Sequence, residues 1–226
     1  MTNGPWLLVK FGKHHHIESL QNGLVYMNPW EYFRQVENVE QKDISEGIDV
    51  WFNPDTTDIM LDGHKFTKNS GTVSASLSSE HNTIKIFCAT LISRRDSIRE
   101  DLKILDDRVK DFGESYLVIY NLKEFFSRLL VALERDKTLG KIVEYESKKI
   151  KYVDQEFYDG DFGPFRKFSQ FRHQKEWRLA IQSKTLNEYR LDIQDIADIS
   201  ELGKTDKFIN KIEKTIDGNH YQLKFS

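Results

Sequence analysis

Apolar positions along this chain change period several times, and each change predicts an element. Residues 6–11 (WLLVKF) are a continuous apolar and aromatic run ended by Gly12, which reads as a strand. Residues 14–21 then place Ile17 and Leu20 on one side of a short helix, closed by the stop signal Asn22-Gly23. Residues 24–27 read as a short strand. Asn28-Pro29 has the form of a helix N-cap followed by proline at the first helical position, leading a helix through Trp30, Phe33, Arg34 and Glu37. Strands follow near 50–52, 72–77 and 83–91, a helix over 97–109, and a central strand at 115–120. Asn121 caps a helix over 122–134, where Phe125, Phe126, Leu129, Leu130 and Leu133 recur with helical period. Residues 141–153 alternate like an edge or hairpin strand, and 177–182 (WRLAIQ) alternate more strongly. A helix near 205–213 and a strand at 221–225 close the chain. Strands outside βαβ alternation predict an α+β fold of mixed, mostly antiparallel sheets with flanking helices, in a single domain over 1–226.

Composition narrows the functional classes. A chain of 226 residues with 38% hydrophobic and 12% aromatic content can bury a full core. The net charge of −3 gives no general attraction to a polyanion, so a nucleic-acid partner would need a local basic patch. The lone cysteine, Cys88, excludes an internal disulfide and a cysteine-based zinc site. Its place in IKIFCATLI makes it a small buried hydrophobe. The first residues hold too short an apolar run for a signal peptide, and no stretch approaches a membrane span. A cytoplasmic protein with no membrane partner is expected.

The densest chemistry is in FRHQKEWRLAI. Gln174 and Glu176 are two apart and share a face if a strand begins there; Arg172 and Arg178 fall in the same register. A carboxylate at the start of a strand can hold a ribose hydroxyl and stabilise positive charge as a glycosidic bond breaks. Glu176 can equally pair with Arg178 or Arg172 on a sheet surface.

Gln174-Lys175-Glu176 before an apolar strand resembles the Gln/Glu-x-Glu element of ADP-ribosyltransferases. The resemblance implies that Glu176 is catalytic, that Gln174 helps select the acceptor, and that NAD is the co-substrate. That superfamily places a basic or histidine residue on its first strand, which Lys10 in LLVKFG matches in position, as lysine. It also has a Ser/Thr-rich strand, matched by Thr72, Ser74, Ser76 and Ser78 in SGTVSASLSS. On this reading Lys10, Tyr26, Ser74 and Ser76 hold the dinucleotide, Tyr32 or an aromatic before Glu176 stacks on nicotinamide, and the fold is a split sheet. A macromolecular acceptor, protein or nucleic acid, is implied. A second resemblance, carried by the lysine strand, Tyr-Met-Asn, DISEG and Glu-Trp-Arg, is to a bacterial family of uncharacterised function. Some of its members sit among phage-defence or toxin genes, which would make a toxin or defence effector, with a possible antitoxin, the setting. Where that family carries an Asn-Asp-Pro-x-Glu-like loop, this chain has Asp43, Ser45 and Glu46.

Other constellations are weaker. Asp43 and Glu46 could form an acid pair or half a metal site, and with Glu176 a metal-dependent nuclease, but Glu46-Gly47 reads first as a turn. His14, His15 and His16 point about 100° apart on a helix and cannot converge on one ion, though one could line a pocket beside Lys10. Tyr158, Phe162, Phe165, Phe168 and Phe171 are either core or a wall facing the acceptor. Arg166, Lys167 and Arg172 give this stretch local positive charge for an acidic or nucleic-acid acceptor. Phosphate loops, nucleophile elbows and metalloprotease pairs are absent from the sequence. A non-catalytic binding or regulatory module remains the alternative to an enzyme.

Overall fold

The computed structural model describes residues 5–36, 42–53, 58–61, 63–66, 73–75, 83–93, 105–136, 145–211, 213–217 and 220–224. Eight strands make the principal sheet: β1 (Pro5–Gly12), β2 (Leu24–Pro29), β3 (Ile84–Ser93), β4 (Ser115–Ile119), β5 (Tyr145–Lys149), β6 (Glu176–Gln182), β7 (Tyr189–Asp192) and β8 (Ser200–Lys204). Their order is β7-β2-β3-β1-β4-β8, with β6 on the other edge of β3 and β5 outside β6. All of these pairings are antiparallel. Helices α1 (His14–Gln21), α2 (Leu122–Arg135) and α3 (Thr205–Lys211) complete an α+β architecture, as the sequence pattern predicts. Among the described residues four small sheets lie apart, among them Val50–Phe52 with Val73–Ala75 and Gly160–Asp161, and the parallel pair Lys151–Val153 with Arg166–Phe168.

Alternation in the strands sorts side chains onto two faces. One face packs Leu8, Phe87, Leu91, Leu117, Trp177, Leu179 and Ile181 against Ile17 and Leu20 of α1 and Phe125, Leu129 and Leu133 of α2. Helix α2 starts where the Asn121 side chain accepts from the Glu124 N–H at 3.2 Å. The opposite face carries two patches. Leu7, Val9, Phe11 and Tyr116 pack with Val109 and Phe208; Ile86 and Ala180 pack under Trp30. A separate small core joins Ile48, Trp51, Val153, Phe162 and Phe168.

Several expectations need correction. Asn28 and Pro29 belong to β2, where Asn28 pairs with Ile86, and no side chain caps the short 3-10 helix Trp30–Arg34 that follows. The proline favours an extended residue before it, and the strand pairing holds that conformation. The helix expected over 97–109 is described only from residue 105, as a 3-10 helix at Asp107–Phe112. Beyond α3, Glu213–Asp217 opens a hairpin with His220–Lys224 rather than extending the helix.

The edge of β3 opposite β6 is shared. Strand β2 pairs with it at Lys85 and Ile86, and β1 from Thr90 to Ser93. The two strands therefore part around Cys88, leaving a fork in the sheet.

Candidate functional site

Three distant segments bring charge to one face of β6. With Trp177 and Leu179 in the main core, Glu176 and Arg178 project oppositely. Over them lies the turn at 43–46, closed by the Glu46 N–H donating to the Asp43 carbonyl at 3.2 Å. The Asp43 Oδ1 accepts from the Ser45 N–H at 2.9 Å and from the Ser45 hydroxyl. Gly47 follows at φ +74°, where an L side chain is strained. The turn is therefore present, and it also delivers two carboxylates. Lys167 comes from the strand Arg166–Phe168 and Gln174 from the end of the 3-10 helix Ser169–Gln174. Asp43, Glu46, Lys167, Gln174, Glu176 and Arg178 are all buried, none more than 5% exposed.

Arg178 joins the two glutamates. Its Nε donates to Glu176 Oε1 at 2.5 Å, Nη1 to Glu46 Oε2 at 2.9 Å and to the Pro164 carbonyl at 2.8 Å, and Nη2 to Glu46 Oε1. The Trp30 indole N–H also donates to Glu46. Lys167 Nζ lies 2.9 Å from Glu176 Oε2 and 3.0 Å from Gln174 Oε1. It is 3.8 Å from Glu46 and 4.0 Å from Asp43 Oδ2, an oxygen with no hydrogen bond.

Environment drives the two glutamates apart. Burial would raise the Glu176 carboxyl, but Arg178 and Lys167 outweigh it and hold that group well below the usual carboxylate range. For Glu46 burial wins over the same cations, with Asp43 adding to it, and the carboxyl sits above its ordinary value of 4.5. The same two cations thus hold Glu176 below its ordinary range and leave Glu46 above it. The pairing of Glu176 with Arg178, open in the sequence, is made in the interior rather than on a sheet surface.

The expected site residues are placed as follows. Strand β6 begins at Glu176, so Gln174 is not in strand register with it. Lys175, left-handed at φ +46°, turns the chain between them. Gln174 and Glu176 nonetheless meet on the same Lys167 ammonium. Arg172 stays exposed, its guanidinium 5.8 Å from the Tyr152 ring. Lys10 leaves β1 beside Leu117, whereas the row Val9–Thr90–Glu176 lies on the other face. The Lys10 amine reaches into the fork and donates to the Cys88 carbonyl at 2.6 Å, 5.1 Å from the Phe87 ring centre. Burial lowers its pKa, against the pull of Cys88 and Glu176. Burial, with the Glu176 carboxylate adding to it, pushes the half-buried Cys88 thiol up to about 12. Lys10 and Glu176 thus approach Cys88 from its two sides.

Tyr26 and Tyr32 are exposed, Tyr32 with its ring edge on Phe33 at 5.5 Å. Ser74 is exposed on the small sheet opposite Trp51, and Thr72, Ser76 and Ser78 lie outside the described residues. Among the aromatics, Phe162 and Phe168 are core, while half-buried Phe165 packs against the patch of Trp30, Ile86 and Ala180. His14 contacts Glu114 and Ser115. Among the described residues no group of three His, Cys, Asp or Glu is placed to hold a metal ion; in the cluster Lys167 and Arg178 stand between the carboxylates. Tyr152 was missed by sequence reasoning: its hydroxyl accepts from the Glu176 N–H at 2.8 Å. A groove between α2 and Asp192–Gln194 shares no residue with the cluster.

No family model, no curated protein and no solved structure matches this chain. The fold stands at the level of its class, an α+β protein with a mostly antiparallel sheet. Among the described residues no helix is long and apolar enough to cross a membrane.

Proposed function

We propose that this chain is an NAD-dependent ADP-ribosyltransferase-like enzyme with Glu176 as its catalytic carboxylate. One observation carries the reading. Gln174 and Glu176 meet on the Lys167 ammonium, and Lys10, far from them in the sequence, donates to the carbonyl of Cys88, whose thiol feels the Glu176 carboxylate. An anion held ionised at the head of β6 is suited to stabilise the positive charge on a ribose as the bond to nicotinamide breaks and nicotinamide leaves with the bonding electrons. Gln174 would face the acceptor and Lys10 a phosphate or ribose oxygen. The fork between β1 and β2 supports the split-sheet arrangement of that superfamily. A macromolecular acceptor, a cytoplasmic toxin or phage-defence role and a cognate antitoxin belong to the same proposal.

A second reading, a non-catalytic binding or regulatory module, is favoured by a different observation. The Glu176 carboxylate is buried and already accepts from Arg178 and faces the Lys167 ammonium, so its contacts are those of an internal ion cluster. On that reading Glu176 serves stability and partner affinity only.

Thermal unfolding and calorimetry with NAD separate the two. Ligand at a hundred times its dissociation constant stabilises by about 2.7 kcal/mol, roughly 5–10 °C for a chain of this size. A shift lost in Lys10→Ala, with transfer lost in Glu176→Gln at retained fold, supports the transferase. Expression that arrests growth, relieved by Glu176→Gln, would add the toxin role. No shift at millimolar NAD rejects the transferase and leaves the binding module.

A further inference from the structure

Three elements turn rings and cations outward on one surface because their other faces are committed to the core. Ile17 and Leu20 point α1 inward and leave His15 and His16 exposed. Val25 and Met27 of β2 are fully buried, which turns Tyr26 out, 40% exposed. Arg190 is the cross-strand partner of Tyr26 on β7, between buried Tyr189 and Leu191. The outcome is a continuous row. The His15 and His16 ring centres lie 4.0 Å apart, His16 and Tyr26 lie 6.4 Å apart with planes 28° from parallel, and the Arg190 guanidinium sits 5.6 Å from the Tyr26 ring centre. Exposed Lys13 precedes the helix at the same end, and Lys13 and Lys10 both act on His16 electrostatically.

We propose that this row binds single-stranded nucleic acid, with bases stacked on Tyr26 and the imidazoles and phosphates met by Arg190 and Lys13. Every base has a ring face, and a row of exposed rings flanked by cations suits a strand whose bases are unpaired. A duplex hides those faces. An apolar protein partner fits less well, because each ring here carries a nitrogen or hydroxyl at its edge. Among the described residues the Arg190 guanidinium makes a long hydrogen bond, 3.4 Å to Glu188, which leaves donors of its fork for a phosphate. With a net charge of −3 the chain has no general affinity for polyanions, so the binding is confined to this row. The inference gives Tyr26 an occupant other than the dinucleotide and does not depend on the transferase reading. If that reading holds, the strand is a candidate acceptor.

The test is fluorescence anisotropy of a fluorescein-labelled single strand of about twelve nucleotides, set against the same sequence as a duplex. The full chain is compared with Tyr26→Ala, His16→Ala and Arg190→Ala, exposed positions whose folding is checked by circular dichroism. Tyr26→Ala should weaken single-strand binding about tenfold at fixed salt, and Arg190→Ala should reduce the slope of log affinity against log salt by about 0.7. Wild-type affinity in all three variants, no saturable binding at low salt, or equal affinity for the duplex overturns the inference. Strand binding without an NAD shift rejects the transferase reading alone; an NAD shift without strand binding rejects this one alone.

Discussion

Replacing Arg178 with methionine removes the guanidinium that joins Glu46 to Glu176 while keeping most of its volume. The side chain is 1% exposed and its donors end on two buried carboxylates and the Pro164 carbonyl. Taking away one partner of a buried ion pair leaves uncompensated charge, which costs about 3–5 kcal/mol. For a chain of 226 residues that is a fall of roughly 6–20 °C in Tm. Urea unfolding gives the same quantity through the midpoint if the slope is unchanged. The pH dependence is the sharper check. Without Arg178 the folded-state pKa of Glu176 rises, so the variant should recover toward the wild type as pH falls and the carboxyls take up protons. Arg178→Lys should rescue little, because an ammonium cannot span both glutamates. A loss below about 1 kcal/mol, or a gap that does not narrow in acid, would refute the view that these charges are mutually dependent.

Further expectations follow from the same geometry. Burial raises the Glu46 carboxyl in the folded state, so its ionisation removes stability as pH climbs above the ordinary value of 4.5. Glu46→Gln should therefore improve relative to wild type as pH rises from 4.5, measured by urea unfolding; a constant difference contradicts the shift. Cys88, with its thiol near 12 against a usual 9.0, should be alkylated by iodoacetamide roughly a thousandfold more slowly than in unfolded chain. Comparable rates in the two states would show that folding does not raise the thiol. Gly23 is at φ +97°, and an added Cβ would lie 2.2 Å from the Gln194 carbonyl oxygen. Gly23→Ala should cost about 2 kcal/mol or more by thermal unfolding, and a neutral result would place α1 and β7 further apart than described.

Elements with a strong period were legible in the sequence. Helix α1 falls at 14–21 as its Ile17 and Leu20 spacing requires, and α2 begins at the Asn121 cap. Strands β4 and β6 follow their apolar runs. Strand β8 was not legible, because SELGK holds a single large apolar residue, Leu202, and forms through pairing with β4. The Asn28-Pro29 signal failed for a related reason: pairing to β3 decides the conformation that local preference left open. At the site, the common face of Glu176 and Arg178 could be read from alternation. The arrival of Glu46 could not, since 132 residues separate it from Arg178. Lys167 carried a faint signal, a lysine set among Phe165, Phe168 and Phe171, though nothing local says that its ammonium is buried.

The charges on β6 also settle which way that strand is dealt into the sheet. Glu176, Trp177, Arg178 and Leu179 alternate strictly, and slipping the strand by one residue against β3 exchanges its two faces. In the slipped arrangement two ionised groups enter the core built on Phe87 and Phe125, and an indole enters a polar chamber, so the mistake is penalised twice. A purely apolar strand between β3 and β5 would tolerate the slip far better. The ion cluster thus works as a key that admits one alignment of the sheet.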